Sequence, residues 1–313
     1  MRLAFMGTPQ FAIPALQRLL SSTHQVTAVI TQPDRPAGRG EPTTLPPVKR
    51  LAQEAGIPVH QPERLLADQY QAVFEQLEID AWVVVAYGKI LPDWLINLPR
   101  FGALNIHASL LPKYRGAAPV HWAIANGETH TGITIMQIDS GMDTGPVLLQ
   151  EKVAIRPDES VSELQARLAQ KGADLLLSAL KLAEQNQLVP VAQNHREASY
   201  APILKKADGQ LHWRESAEAL YNRVRAFNPW PGTYTFLKGA IFRIWDARPL
   251  PFEEGDYPVG SLFVHPKHEV VVQCGTGLLK LLEVQLENRR RLPSLEFANG
   301  FRLRACQPLL LGR

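Results

Sequence analysis

The run Asp80-Ala81-Trp82-Val83-Val84-Val85-Ala86 is apolar after its first residue, carries three consecutive valines and shows no alternation. That pattern belongs to a strand covered on both faces, as in the middle of a parallel sheet. Towards the N-terminus, residues 3–6 form a second apolar run, closed by Gly7-Thr8-Pro9. A helix follows with Phe11, Ala15, Leu16, Leu19 and Leu20 on one face. Residues 25–31 read as the next strand, and 32–47 (QPDRPAGRGEPTTLPP) hold too much Pro and Gly for a regular element. The spacing then predicts a helix over 48–55 stopped by Gly56, a strand over 58–61 and a helix over 63–77. In the other direction come a helix near 90–97, a strand over 103–107, and strands over 131–138 and 147–155. A helical period covers 160–185, with Val161, Leu164, Leu168, Leu175, Leu176, Leu180 and Leu182. Strands alternating with helices imply an α/β fold: a Rossmann-like, mostly parallel sheet with helices on both faces.

That domain is assigned to residues 1–188. The pattern dissolves over 189–206 (VPVAQNHREASYAPILKK), which is read as a linker. Residues 207–313 follow a different pattern. A helix over 216–226 precedes short β-runs at 233–237, 240–247, 269–273 and 278–285, punctuated by glycines. This predicts a small OB-like, mostly antiparallel β-barrel.

A chain of 313 residues accommodates two domains. With 45% hydrophobic and 20% charged residues it can bury ordinary cores, which excludes a disordered chain. The net charge of +3 is unevenly placed: 19 basic and 19 acidic residues precede position 207, and 14 basic and 11 acidic follow. The C-terminal third therefore carries the whole excess, as a polyanion-facing surface would. Cys274 and Cys306 match no metal-ligand spacing and are expected as free thiols; no metal site is predicted. The apolar run in the opening MRLAFMGTPQ is too short for an export signal, and nothing approaches 18 uninterrupted apolar residues. A cytoplasmic protein without membrane contact is expected.

The informative stretch is Asn105-Ile106-His107-Ala108-Ser109-Leu110-Leu111-Pro112-Lys113-Tyr114-Arg115-Gly116. On a strand, Asn105 and His107 share a face. They sit at its carboxyl end, where open parallel sheets place ligands. A second stretch, Asp139-Ser140-Gly141-Met142-Asp143-Thr144-Gly145-Pro146, can turn tightly and present Asp143. An amide, an imidazole and a carboxylate suit acyl transfer to an amine. The amide donates to the developing oxyanion, and the other two move the proton. From the residues alone, a structural reading stands beside it: a buried Asn and His at a strand end, and an Asp in a glycine turn.

The set Asn-x-His-x-Ser-Leu-Leu-Pro, with an Asp in a later Gly-Met-Asp-Thr-Gly turn, resembles the folate-dependent formyltransferases. Thr31-Gln32-Pro33-Asp34-Arg35-Pro36-Ala37-Gly38-Arg39-Gly40 and Phe227-Asn228-Pro229-Trp230-Pro231-Gly232 are similar to the methionyl-tRNA formyltransferase family within them, over essentially the whole chain. The resemblance implies a catalytic trio of Asn105, His107 and Asp143, and a site for 10-formyltetrahydrofolate lined by Ser109, Leu110, Leu111 and Pro112. It implies formyl transfer to the α-amine of methionyl initiator tRNA, with the 32–47 loop at the acceptor end. Arg35, Arg39, Lys205 and Lys206 would meet phosphates, and Arg223, Arg225 and Arg289-Arg290-Arg291 would extend that basic path. Where the family has lysines after Gly40, this chain has Glu41-Pro42-Thr43-Thr44, which weakens phosphate contact there. A monomer is expected. The alternatives are formyl transfer to a small amine (an amino sugar or purine precursor), a nucleotide-dependent oxidoreductase suggested by Gly7, and a non-catalytic RNA-binding module.

Overall fold

The computed structural model describes residues 1–36, 43–250, 257–267, 269–303 and 308–312. The chain divides into two compact units. One comprises Met1–Pro119, His130–Ala154 and Ser162–Pro202; the other comprises Val120–Thr129, Ile155–Val161 and Ile203–Arg313.

The first unit is built on seven strands: β1 (Arg2–Gly7), β2 (Gln25–Ile30), β3 (Val59–His60), β4 (Ala81–Val85), β5 (Ala103–His107), β6 (His130–Gln137) and β7 (Val147–Ala154). Their order is β3-β2-β1-β4-β5-β6-β7. The first five are parallel, whereas β6 runs antiparallel to β5 and β7 antiparallel to β6. A parallel crossover needs a dozen or more residues, so the short 138–146 connection forces β7 to reverse. All five residues of β4 are buried, as its unbroken apolar run requires. The Trp82 indole N–H still finds a partner, the Leu95 carbonyl at 2.8 Å. Strand order reverses between β1 and β4, which places the ligand crevice at their carboxyl ends. Gly7 closes β1, and a Cβ there would lie 2.7 Å from the Phe5 ring and 3.0 Å from the Val85 carbonyl. Its absent side chain thus serves close packing.

Among the helices, α1 (Ile13–Leu20) buries Ala15, Leu16 and Leu19. α2 (Pro47–Glu54) is followed by Gly56 at φ +69°, the left-handed residue its C-terminus needs. α3 (Ala67–Glu75) is shorter than its periodicity suggests. The carbonyls of Pro62 and Glu63 accept instead from Lys89 Nζ, at 2.5 and 2.7 Å. α4 (Asp93–Ile96) is a single turn. Where composition argued against any regular element, Arg35–Pro36 pairs with Thr43–Thr44. A ladder this short tolerates Pro36, which has no N–H to donate. Asp34 ties the start of this segment to Lys49 (2.6 Å) and Gln61 (2.7 Å). The hydrogen bond from Lys49, then that from Gln61, holds its carboxyl below the usual range. α5 (Pro119–Ala125), which after Pro119 belongs to the second unit, is too short to show a period in the sequence, whereas α6 (Val161–Glu184) is the helix that the leucine spacing anticipates.

In the C-terminal stretch of the second unit, α7 (Ala217–Phe227) is capped by Ser216, whose Oγ accepts from the Ala219 N–H at 3.2 Å. Its strands are β8 (Thr233–Leu237), β9 (Ala240–Leu250), β10 (Ser261–His265), β11 (Glu269–Gln273), β12 (Leu278–Leu286) and β13 (Leu309–Leu310), in the antiparallel order β8-β9-β12-β11-β10-β13. Leu311 bridges back to Leu237, and the Gly312 N–H donates to the Phe236 carbonyl at 2.8 Å. The sheet therefore curls until its last strand meets its first. Leu220, Val224, Phe242, Ile244, Val272 and Leu281 fill its interior. Strand β10 and the helix α8 (Ser294–Gly300) are additions to the sequence reading. The Phe227-to-Gly232 run is a corner: Asn228 Nδ2 donates to the carbonyls of Ile244 and Trp245, each at 3.0 Å. Cys274 is a buried free thiol, pushed up to about 12 by desolvation; Cys306 lies outside the described residues. Among the described residues no helix is long and apolar enough to cross a membrane, and no group of three His, Cys, Asp or Glu could hold a metal.

Candidate active site

Strand β5 puts two polar side chains at the carboxyl edge of the sheet. Asn105 pairs with Val84 on one side and Met136 on the other, and His107 lies opposite Thr134. The period of two gives them a common face. His107 is 6% exposed, so its ring nitrogens must be accounted for. Nε2 lies 3.0 Å from the Tyr114 carbonyl. A carbonyl only accepts, so Nε2 carries the hydrogen. Nδ1 faces Asp143 Oδ2 at 3.6 Å, beyond hydrogen-bond reach. The ring is therefore held by the Tyr114 carbonyl rather than by the carboxylate, and Nδ1 stays open for proton exchange. Asn105 is half-buried, and among the described residues its amide has no partner.

Asp143 sits at φ +54°, in a turn that no bulkier sequence could make. A Cβ on Gly145 would collide with the Gln137 carbonyl, and one on Gly141 with Thr144. Asp139 Oδ1 closes the turn by accepting from the Gly141 N–H (3.1 Å) and Thr144 Oγ1 (2.7 Å). Asp143 Oδ2 accepts from the Gly116 N–H at 2.8 Å. Its Oδ1 has no partner among the described residues.

The loop that follows β5 is shaped from beneath. Ser109 is fully buried, and its hydroxyl donates to the Lys113 carbonyl at 2.6 Å. Thr134 Oγ1 donates to the Ser109 carbonyl (2.7 Å) and accepts from the Leu111 N–H (3.2 Å) and Gln150 Nε2 (2.8 Å). One hydrogen and two lone pairs are all in use. Gln150 Nε2 also reaches the Leu111 carbonyl at 3.0 Å. Leu110 is half-buried over Gly132, where a Cβ would strike it; Leu111 is buried and Pro112 half-buried.

A third segment, read from sequence as linker, is hydrogen bonded to residues 112–118. The Arg115 N–H donates to the Ser199 carbonyl (2.8 Å), the Ala201 N–H to the Arg115 carbonyl (2.7 Å), and the Tyr114 N–H to Ser199 Oγ (2.9 Å). A Cβ on Gly116 would lie 2.7 Å from the Ala201 carbonyl. Gln193, 8% exposed, donates to the carbonyls of Asp143 (2.9 Å) and Gly145 (2.7 Å). Gln193, Ser199, Thr134 and Gln150 are thus site residues that the sequence reading did not single out.

Asn105, His107, Asp143 and the run from Ser109 to Pro112 all belong to the first unit, as does exposed Arg35. Lys205 and Lys206 are exposed in the second unit, and among the described residues neither side-chain ammonium has a carboxylate partner. Arg39 lies outside the described residues. Much of the extended basic path is already engaged. Arg223 pairs with Glu215 at 3.0 Å, Arg291 pairs with Glu283, and Arg225 donates to the Glu159 carbonyl at 3.0 Å.

Residues 1–180 match the formyl transferase family, and residues 203–302 match the formyl transferase C-terminal domain. Over 303 residues the chain is 46% identical to a methionyl-tRNA formyltransferase of Solibacter usitatus, covering 97% of this chain and 96% of that protein. The chain belongs to the methionyl-tRNA formyltransferase family. A relative of the same description from Koribacter versatilis is 45% identical, covering 96% of each chain. Two solved structures share the fold at 18% identity. One is an N-formyltransferase from Helicobacter canadensis in complex with folinic acid and dTDP-3-aminofucose, with a TM-score of 0.66 over 93% of this chain and 99% of that one. The other is HypX from Aquifex aeolicus in complex with tetrahydrofolic acid, with a TM-score of 0.62 over 96% of this chain and 47% of that one. Gln193 and Ser199 fall between the two matched regions.

Proposed function

We propose that this chain transfers the formyl group of 10-formyltetrahydrofolate to the α-amine of methionyl initiator tRNA, in the cytoplasm. Relatives of that description at 46% identity over nearly full length favour this acceptor over an amino sugar or a purine precursor. The observation that carries the chemistry is the Asn105 amide, without a partner among the described residues, on the strand face of His107, whose Nδ1 lies 3.6 Å from Asp143.

The donor set fits a carbonyl carried on nitrogen. Bound folate supplies a formyl carbon that its attachment to N10 leaves electrophilic. Leu110 and Leu111 would line its site, and Ser109 and Pro112 would act through the shape of the loop. Asn105 donates to the formyl oxygen, where negative charge grows as the amine attacks. The amine has an ordinary pKa near 7.7–8.0 and arrives largely protonated at neutral pH. Asp143 Oδ1 is free to take that proton, directly or through one water. His107 exchanges a proton only at Nδ1, because Nε2–H stays with the Tyr114 carbonyl. As an imidazolium it adds positive charge beside the oxyanion; as a neutral ring it can receive the amine's proton. The nitrogen that leaves is protonated by the same pair. Phosphates of the tRNA would meet Arg35, Arg39, Lys205 and Lys206.

The test is incubation with charged initiator tRNA and 10-formyltetrahydrofolate, followed by mass analysis of the esterified amino acid. One formyl group on methionine is expected. Unmodified methionine, with formylation of an amino sugar or a purine precursor instead, refutes the assignment.

A further inference from the structure

We propose that Gln193 is a positioning residue for Asp143, acting through the backbone of the turn that presents the carboxylate. The inference rests on the reading of Asp143 as the proton acceptor.

Gln193 spends its whole hydrogen-bonding capacity on three residues, Asp143, Gly145 and Arg115. Its Nε2 donates both hydrogens to the carbonyls of Asp143 and Gly145, at 2.9 and 2.7 Å. Its Oε1 accepts twice from Arg115, from Nε at 3.2 Å and Nη2 at 2.6 Å. The amide has one workable orientation, since a flip would set oxygen against two carbonyls and the amino group against a guanidinium. Arg115 is only 2% exposed and has no ion pair among the described residues; its guanidinium's other hydrogen-bond partner there is His195 Nδ1 at 3.2 Å. A buried guanidinium with so few acceptors binds that oxygen firmly. The next residue, Gly116, gives its N–H to the Asp143 carboxylate at 2.8 Å. Arg115 and Gly116 therefore grip Asp143 at both ends: the side chain directly, and the main chain through Gln193. The held residue is in the left-handed region at φ +54°, a conformation that a non-glycine residue keeps only when its surroundings impose it.

Two variants separate this role from simple packing. Gln193→Glu keeps the shape and gives Arg115 a carboxylate, but presents oxygen to the two carbonyls. Gln193→Met keeps neutrality but leaves Arg115 without its acceptor. Both lose the donation to the turn. We expect each to lower kcat for formylation on the order of 10²-fold, as misplacement by about 1 Å does. KM for 10-formyltetrahydrofolate should stay within about twofold, since the Ser109-to-Pro112 loop is untouched. Gln193→Met should lower the melting temperature further than Gln193→Glu, because it also leaves the buried Arg115 guanidinium without the Gln193 oxygen. In ¹⁵N spectra, the His107 Nδ1 resonance should move in both variants as the carboxylate shifts away. Wild-type kcat and an unmoved resonance in Gln193→Glu would overturn the proposal. If the wild-type chain formylates no methionyl-tRNA, the functional reading fails instead, and the nitrogen resonance still reports whether Gln193 holds Asp143.

Discussion

Asn105→Ala should separate activity from stability. Removing a donor from an oxyanion site costs about 2.7–4 kcal/mol of barrier. At about 1.36 kcal/mol per decade, kcat should fall by roughly 10²–10³. KM for either substrate should change little, because the interaction strengthens only as charge develops. Stability should behave differently. The half-buried amide has no partner among the described residues, so alanine leaves no donor or acceptor orphaned. The cost of the lost atoms should stay within about 1 kcal/mol, or roughly 2–4 °C in the melting transition of a unit this size. The assay is initial-rate formylation of charged initiator tRNA at saturating donor, with calorimetry on the same preparations. A variant that keeps wild-type kcat refutes the assignment. So does one that loses kcat only in step with a fall of about ten degrees or more, because the amide would then be structural.

Three further outcomes follow from other parts of the molecule. Thr134→Val keeps the shape but strips the Ser109 carbonyl, the Leu111 N–H and Gln150 of a shared partner; a loss of about 2–4 kcal/mol in denaturant unfolding is expected, with a raised KM for the folate donor. Burial lowers the pKa of His121 below its ordinary 6.5, and its Nδ1 has no hydrogen-bond partner among the described residues. The unfolded chain thus takes up that proton first as pH falls. The ring's contribution is complete above about pH 6.5 and drains away below it, at up to about 1.4 kcal/mol per pH unit. Melting temperatures measured from about pH 7.5 to 5.5 should fall, and fall less in His121→Leu; His24 and His60, also lowered chiefly by burial, keep a residual slope. The Cys274 thiol, held at about 12, should resist iodoacetamide in mildly alkaline buffer in the folded protein and react after denaturation, as read by peptide mass mapping.

What the sequence made legible was what a repeat or a short range encodes. Unbroken valine in β4 announced a strand covered on both faces, and a period of two aligned Asn105 with His107. Two glycines that tolerate no Cβ marked the Asp143 turn. Partners set by register stayed hidden. Thr134 lies in the run TGITIMQI, where a threonine needs no explanation beyond strand propensity. Its place opposite His107 depends on β6 running antiparallel to β5, which alternation alone does not specify. The segment around Gln193 shows a different blindness. Without periodicity it reads as a linker, yet irregular backbone carries as many donors and acceptors as a helix and must satisfy them when buried. The stretch after Pro112 has the same need, and the two solve it together. Ser199 and Ala201 serve Arg115 in the manner of a short parallel ladder, while Gln193 reaches the carbonyls of the Asp143 turn. A buried aperiodic loop beside the strand that carries the candidate site thus implies a second aperiodic segment to complete it. The polar side chains of that second segment belong to the site even where no motif marks them.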